Sequence, residues 1–569
     1  MAKKRDYSNW SKDDLIKQVQ ILEKQKTYGL VWEKDRTKEV FDYYLNWDGS
    51  ETKENFGEEE GKFPVLKEIK IKAVDNEDPK YNLMIEGDNY HSLAVLNFTH
   101  NKAIDVIYID PPYNTGAKNW KYNNDYVEKD DAYRHSKWLN FMEKRLKLAK
   151  NLLKKDGVLI CAIDENEMWR LGCLLEEIFF DYEVHLITII GNPKGVQGKN
   201  FSYTNEFAFF VLPKGQKVIG DRKLRENEIY WSNLRNWGSE SLRTDARNCF
   251  YPIKVKDDKI IGFGDVSDTN FHPKKQTEKK GDEYYVYPID IQGTERKWRY
   301  ARQSVESIKQ FLKVRKSKDR IEIEIGKDFG TVKTVWQDAS YDASEYGTKL
   351  VNSLVPNSDF DFPKSIYCVH DCIYPIVSER KNAIVLDFFA GSGTTGHAVM
   401  LMNKKDEGNR KFILCTNNEN GIAENICYPR IKAVMKSSKD YPEITNIETN
   451  LKYFKHDFVD STPTDANKRK IVDKSTEMLC IKENAFKPIK DKKGYKIFKN
   501  SEVHLGIIFD EDDIKDFVKD AKEIKGKFHV YVFSFDDTVP KEEFEELEGK
   551  IKLCPIPEVI LHVYRRIFK

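Results

Sequence analysis

Two short apolar runs limit what this chain can fold into more than any other feature: Ile104 to Ile109 (IDVIYI) and, far downstream, Ala383 to Phe389 (AIVLDFF). The first is rich in β-branched residues and both are shorter than a typical helix, so each reads as a buried strand. Each run leads straight into a loop. After the first come Asp110-Pro111-Pro112-Tyr113-Asn114-Thr115-Gly116, whose prolines offer no N–H to a sheet ladder. After the second come Ala390-Gly391-Ser392-Gly393-Thr394-Thr395-Gly396, whose glycines permit a tight turn and close backbone approach to a ligand before a helix from His397 to Asn403. An α/β fold is expected, with both loops at the carboxyl ends of strands, where open α/β sheets bind their ligands.

The first loop groups an acid, two rigid proline carbonyls and an aromatic ring. That set suits methylation of an exocyclic amine. The amino group of adenine is a weak nucleophile because its lone pair is delocalised into the ring. A carboxylate at Asp110 and a main-chain carbonyl near Pro111 can each accept one N–H, which draws the nitrogen toward a tetrahedral shape and frees the lone pair. Pro111 and Pro112 hold these acceptors in place before the reaction begins. Tyr113 can stack on a base flipped out of a duplex. An aspartate closing an apolar strand is common in α/β proteins, so the reading rests on the whole string. No G-x-x-x-x-G-K-[ST] occurs in the chain, which argues against a P-loop ATPase.

Asp387-Phe388-Phe389-Ala390-Gly391-Ser392-Gly393-Thr394-Thr395 resembles the S-adenosylmethionine loop of DNA amino-methyltransferases. The resemblance implies cofactor contacts at Asp387, Phe388, Ala390, Gly391, Ser392, Gly393 and Thr394. With the catalytic string ahead of the cofactor string, motif order resembles the β class, a circularly permuted Rossmann-like fold with target recognition inserted between its halves. In that class the DPPY form goes with adenine N6. Leu83 to Asn89 resembles the segment that lines the cofactor's adenine side, which implies a role for Asp88. Phe362-Pro363-Lys364-Ser365 resembles a segment whose lysine contacts the cofactor, a role that carries to Lys364. After the next strand, Lys411 to Thr416, a polar or acidic group holds the ribose hydroxyls in such folds. Glu419 is the favoured candidate and Asn417 its competitor, because Thr416-Asn417-Asn418 stands where many relatives have a glutamate ending the strand.

Within the class, the chain is similar to the modification (Mod) subunit of type III restriction–modification systems. The strings that carry this are Lys26 to Glu33, Gly293 to Arg299, Lys333 to Trp336 and the ending from Pro555 to Arg566. The resemblance implies duplex DNA as substrate, a restriction (Res) helicase–nuclease subunit as partner, a homodimer, and a cytoplasmic, nucleoid-associated place. Direct in-line methyl transfer to N6 needs no metal and no covalent enzyme intermediate. A solitary type II-like methylase and a DNA-specificity module with a decayed site are the alternatives.

A chain of 569 residues is too long for one core. Five regions are expected: a helical arm over 1–75, in which Leu15, Val19 and Leu22 share a face; the catalytic half-sheet over 76–213; a target-recognition domain over 214–345; the cofactor half-sheet over 346–458; and a small separate α/β domain over 459–569. The last serves assembly, dimerisation or capping, with no motif to choose among them. Lys and Arg total 94 against 93 for Asp and Glu, a formal net charge of +1, so any nucleic-acid surface must be local. The 214–345 region interleaves such groups: Trp231, Arg235, Trp237, Arg243, Arg247, Phe250, Tyr251, then Arg296 to Tyr300 and Arg302. They suit phosphates and base edges, or else form an ordinary core with solvated charges. Gly191 to Lys199 has loop chemistry beside the catalytic sheet, and Tyr203 to Glu206 can help hold the target base. Mean hydropathy is −0.66, and no apolar run approaches the length of a membrane span. The basic start Met1 to Arg5 lacks the apolar stretch of a signal peptide. The nine cysteines are scattered and read as reduced thiols.

Overall fold

The computed structural model describes residues 11–12, 30–34, 37, 62–75, 81–122, 125–223, 229–317, 320–462, 464–500, 503–535 and 538–567. The expected helix with Leu15, Val19 and Leu22, and the string Lys26 to Gly29, lie outside the described residues. The chain divides into two compact units. One joins Met1–Val218 to Lys333–Lys569, and the other is Ile219–Val332.

A ten-stranded sheet organises the first unit. In chain order its strands are β1 (Lys62–Glu68), β2 (Asn82–Glu86), β3 (Ile104–Ile109), β4 (Leu153–Ile163), β5 (Tyr182–Ile190), β6 (Glu206–Pro213), β7 (Val335–Gln337), β8 (Ile384–Asp387), β9 (Lys411–Thr416) and β10 (Leu451–Asp460). Their order across the sheet is β1-β10-β2-β9-β8-β3-β4-β6-β5-β7. Strands β10, β2, β9, β8, β3 and β4 run parallel. Strand β6 is antiparallel to both of its neighbours, β4 and β5. All six residues of β3 are buried; the one charge among them, Asp105, pairs with Lys154 at 2.7 Å.

Helix α1 (Asn89–Thr99) connects β2 to β3, and helix α2 (Arg134–Lys150) connects β3 to β4. Both carry the chain one way across the sheet. Helix α3 (Thr394–Asp406), between β8 and β9, carries it the other way. Right-handed crossovers therefore set α1 and α2 on the face opposite α3. The reversal falls between β3 and β8, which makes their carboxyl ends the switch point of the sheet.

Three expectations change. The 1–75 region is not all helical, because Phe63 to Leu66 is a buried apolar run that forms an edge strand on β10. Lys333 to Trp336 belongs to the main sheet rather than to the insert: Val335–Gln337 pairs with β5, and Trp336 is buried there. The segment beyond 459 has a five-stranded sheet and a core of its own, yet it is not separate. Its helices Thr476–Lys482 and Glu558–Ile567 pack on α1, and Ile471, Met478, Leu479 and Tyr564 enter the main core. Tyr564 stacks on Phe63 with ring centroids 5.3 Å apart and donates its hydroxyl to the Pro64 carbonyl.

The unit Ile219–Val332 holds a four-stranded antiparallel sheet, a three-stranded one and a two-stranded ribbon. Tyr251, Ile253, Val255, Trp298, Val305 and Ile323 fill its core.

Candidate active site

Because β2, β9, β8 and β3 run parallel side by side, the residues that follow them line one edge of the sheet: Asp88, Asn417, the 387–394 loop and the 110–116 loop. Strand β6 runs the other way. Its first residues sit beside the last residues of β4, with Phe207 paired to Ile163, so Glu206 begins β6 at the same edge. The hairpin pairing Val196–Gln197 with Ser202–Tyr203 lies between β5 and β6 and projects from that edge too.

The catalytic string is held from several sides. Trp138 of α2, fully buried, donates its indole N–H to the Pro112 carbonyl at 2.7 Å. This leaves Pro111 as the proline carbonyl with no donor among the described residues. Asn114 is also fully buried and adopts a positive φ of 56°. It donates to the Arg134 carbonyl at 3.2 Å and to the Glu167 carboxyl, and it accepts the Trp120 indole N–H at 3.1 Å. Glu167 also meets His135. Burial pushes Glu167 up to about 7 and His135 down to about 4, so near neutrality the imidazole is uncharged and the carboxyl only partly ionised.

Around Asp110 the structure gathers residues distant in sequence. Lys364 Nζ lies 3.3 Å from Asp110 Oδ1 and 2.9 Å from Glu206 Oε2, and 4.5 Å from the centroid of the Tyr113 ring. The Tyr113 hydroxyl donates to the same Glu206 oxygen at 3.1 Å. Asp110 Oδ1 is buried and makes no hydrogen bond. Burial raises the Asp110 carboxyl above its ordinary range, Lys364 partly reverses this, and Glu206 adds to it. Burial alone would lower the Lys364 ammonium, but Asp110 and Glu206 together hold it above its usual value. Lys364, implied as a cofactor contact, thus stands between Asp110 of the first loop and Glu206 of β6.

The second loop is a glycine cradle. Gly391 has φ +49° and Gly393 φ +80°. A Cβ on Gly391 would come within 3.0 Å of the Phe360 ring, and one on Gly393 within 3.0 Å of Cys427 Sγ. Asp387 closes β8, 3% exposed, accepting the Thr395 hydroxyl at 2.5 Å and the Phe389 N–H at 2.9 Å. Burial pushes its carboxyl up to about 7 against those two donors. The Phe388 side chain is fully buried in the main core, and its carbonyl accepts from Asn89 at 3.0 Å; Phe389 is the half-buried ring of the pair. The Ser392 and Thr394 hydroxyls point to Arg430, at 2.9 and 2.8 Å. Their side chains tie the loop to Arg430. Arg430 itself is buried, and burial lowers it to about 10.

Asp88 caps α1 by accepting the Tyr90 N–H at 2.7 Å and pairs with Arg145 at 3.3 Å, which holds its carboxyl below the usual range despite burial. Asn417 is exposed beyond β9 and Glu419 is half-buried in the turn that follows. Asn418, between them, turns inward to Glu424.

Most of the insert's basic and aromatic residues are structural. Arg235 is buried and pairs with Glu322 at 3.3 Å; Arg243 pairs with Glu295 and Arg296 with Asp290, each at 2.9 Å. Trp298, Tyr251 and Phe250 are core. Trp237, 49% exposed and flanked by the Arg235 and Arg296 guanidiniums, remains at the surface with Arg247 and Arg299. Sequence reasoning missed Trp138, Arg145 and Arg430 as supports. Only Trp138 carried a signal, in the string His135 to Leu139.

Comparison with known proteins gives the chain a family. Residues 104–428, more than half of the chain, match the N6_N4_Mtase family, described as DNA methylase. The chain is 30% identical over 391 residues to the type III restriction-modification enzyme EcoPI Mod subunit of Escherichia phage P1, covering 59% of this chain and 58% of that one. It is 29% identical over 361 residues to the type II methyltransferase M.KpnI of Klebsiella pneumoniae, covering 60% of this chain and 82% of that one. Over 439 residues it is 26% identical to the StyLTI Mod subunit of Salmonella typhimurium, covering 69% of this chain and 62% of that one. Against the type III subunits, then, the chain spans about three fifths of their length. Among solved structures, the M1.HpyAVI–SAM complex is 15% identical, with 62% of this chain and 98% of that one covered and a TM-score of 0.27. Catalytic string, glycine cradle and family match all fall within one stretch, and the chain belongs to the N6_N4_Mtase family of DNA methylases.

Proposed function

We propose that this chain is a site-specific DNA methyltransferase that moves a methyl group from S-adenosylmethionine to adenine N6 in duplex DNA. The observation that carries the reading is the adjacency of two loops at the switch point of the sheet. One presents the Asp110 carboxylate and the Pro111 carbonyl, and the other, on the neighbouring strand β8, is a cradle that a single Cβ would fill. The residues fit the cofactor: an open glycine turn, the Asp387 carboxyl behind it, and Asp88 and the 417–419 turn along the same edge. When bound, S-adenosylmethionine supplies an electrophilic methyl group on a sulfonium sulfur.

The chain does the rest by placement. Asp110 and the Pro111 carbonyl each accept an N–H of the target amine. Trp138 and Asn114 fix the loop so that these acceptors do not move as the base arrives. Tyr113, its hydroxyl tied to Glu206, offers a ring face to the base. The proton that N6 sheds on methylation passes to Asp110, whose raised affinity for protons suits the task.

Similarity to three type III Mod subunits supports a role as the modification and specificity subunit of such a system, with a Res helicase–nuclease partner, a homodimeric state and a nucleoid-associated place in the cytoplasm. The fuller coverage of M.KpnI favours a second reading, a methylase that works without a nuclease. An Asp110→Ala variant tests the chemistry. It is expected to bind S-adenosylmethionine as the wild type does and to transfer no methyl to DNA. Retained methylation would overturn the mechanism.

A further inference from the structure

We infer that Glu206 is a positioning residue that holds Lys364 off Asp110, keeping the Asp110 oxygen open to the target amine. The inference rests on Asp110 being the amine acceptor and adds a residue and a cause to that reading.

Three distances carry it. Lys364 Nζ is nearer to Glu206, at 2.9 Å, than to Asp110, at 3.3 Å. The Asp110 contact is the longer of the two, and no hydrogen bond of good geometry reaches the buried Oδ1. The Glu206 oxygen that takes the ammonium also takes the Tyr113 hydroxyl, at 3.1 Å. One carboxylate therefore fixes both the cation and the ring that would stack on the base. The Lys364 side chain is 11% exposed, so solvent offers its ammonium little. Without the Glu206 charge, the nearest remaining anion is Asp110, with Asp164 farther off. A buried ammonium beside one carboxylate closes to a charge-assisted hydrogen bond of about 2.8 Å. That bond would occupy the acceptor the amine needs.

Glu206 reaches this position through topology. As the first residue of the antiparallel strand β6, it projects at the edge where the parallel strands end. An additional parallel strand would have brought its last residue there instead.

Glu206→Gln isolates the charge. The amide oxygen still accepts from Tyr113, but it cannot hold an ammonium as a carboxylate does. The variant is expected to lose about 100-fold in kcat, as for a displaced reacting group, with little change in KM for DNA or in cofactor affinity. The pH profile separates this from a structural defect. The groups facing Asp110 are Lys364, Glu206, Tyr113, Tyr108 of β3, Cys161 of β4 and Asp387 of β8. Burial keeps Tyr108, Tyr113 and Cys161 neutral, and Asp387 is unchanged in the variant. Removing the Glu206 charge takes away repulsion and gives Asp110 the whole of Lys364, so the acidic limb of kcat moves to lower pH while the plateau falls.

Adding Lys364→Met to Glu206→Gln removes the ammonium and should recover about tenfold of the lost kcat. If Glu206→Gln does not fold, Lys364→Met alone gives the readout. Asp110 then loses the charge that favours its ionised form, so the acidic limb must move to higher pH. A Glu206→Gln enzyme with wild-type kcat, a loss that Lys364→Met does not relieve, or a limb that stays in place would each overturn the inference. A wild-type chain that methylates no DNA would instead overturn the proposed function.

Discussion

Replacing Trp138 with phenylalanine removes one hydrogen-bond donor and part of one buried ring, and both losses fall next to the reacting groups. The indole N–H is 2.7 Å from the Pro112 carbonyl and the side chain is fully buried. The Pro112 carbonyl is partly buried, and leaving it without its donor costs about 1–3 kcal/mol. The smaller ring leaves a void worth about 1–2 kcal/mol more. Destabilisation of about 2–5 kcal/mol is therefore expected, measured by urea unfolding at neutral pH. Activity should fall for a separate reason. Pro111 is one residue from the lost anchor, and a shift of about 1 Å in its carbonyl corresponds to roughly 100-fold in kcat. Cofactor affinity should hold, because the glycine cradle lies on another strand. The assay is kcat at saturating DNA and S-adenosylmethionine, at a temperature where circular dichroism shows the variant folded, together with calorimetric cofactor binding. A folded variant with unchanged kcat would refute the argument that Trp138 sets the acceptor geometry.

Gly391→Val should abolish cofactor binding while the fold persists. Its Cβ would stand 3.0 Å from the Phe360 ring at a φ of +49°, where a β-branched residue is strained; normal calorimetric titration would contradict the cradle. Asp387 gives a stability signal with a fixed sign. Its carboxyl is raised from 3.8 to about 7, so the folded state favours the protonated form, and stability from this group is present at pH 3.8 and lost as pH rises toward 7. The stability difference between wild type and Asp387→Asn should move in the variant's favour across that window; a difference independent of pH would refute the burial argument.

The two loops were legible because each is a contiguous string after a short apolar run; local chemistry suggested a role for the first, and family resemblance one for the second. Their supports were not. Tyr113 and Glu206 are 93 residues apart, and they meet only because β6 is antiparallel. Arg430, behind the glycine cradle, is a lone arginine on a helix, with nothing in its neighbourhood to mark it. In the insert the sequence left two readings of the same residues open. Interleaved arginines and aromatics resemble a nucleic-acid surface, yet Trp298 and Tyr251 fill a small core, and Arg235, Arg243 and Arg296 pair with Glu322, Glu295 and Asp290 around it. A unit of limited size needs its large aromatics inside, and charges at its boundary need partners. Lys364 was singled out by resemblance as a cofactor contact, but its acidic neighbours were not foreseen, because the loop that carries it reaches the same sheet edge from 254 residues beyond Asp110, a separation no local pattern spans.

The central claim is that Asp110 and Pro111 present a flipped adenine to a methyl donor held by the loop after β8. Its most direct test is single-molecule sequencing of DNA from a methylation-free host that expresses this chain alone. The account predicts N6-methyladenine at one short site, on one strand of an asymmetric sequence if the chain acts as a type III modification subunit, and no mark with Asp110→Ala. Methylation at cytosine N4, or no mark from a chain that binds S-adenosylmethionine and DNA, would contradict it.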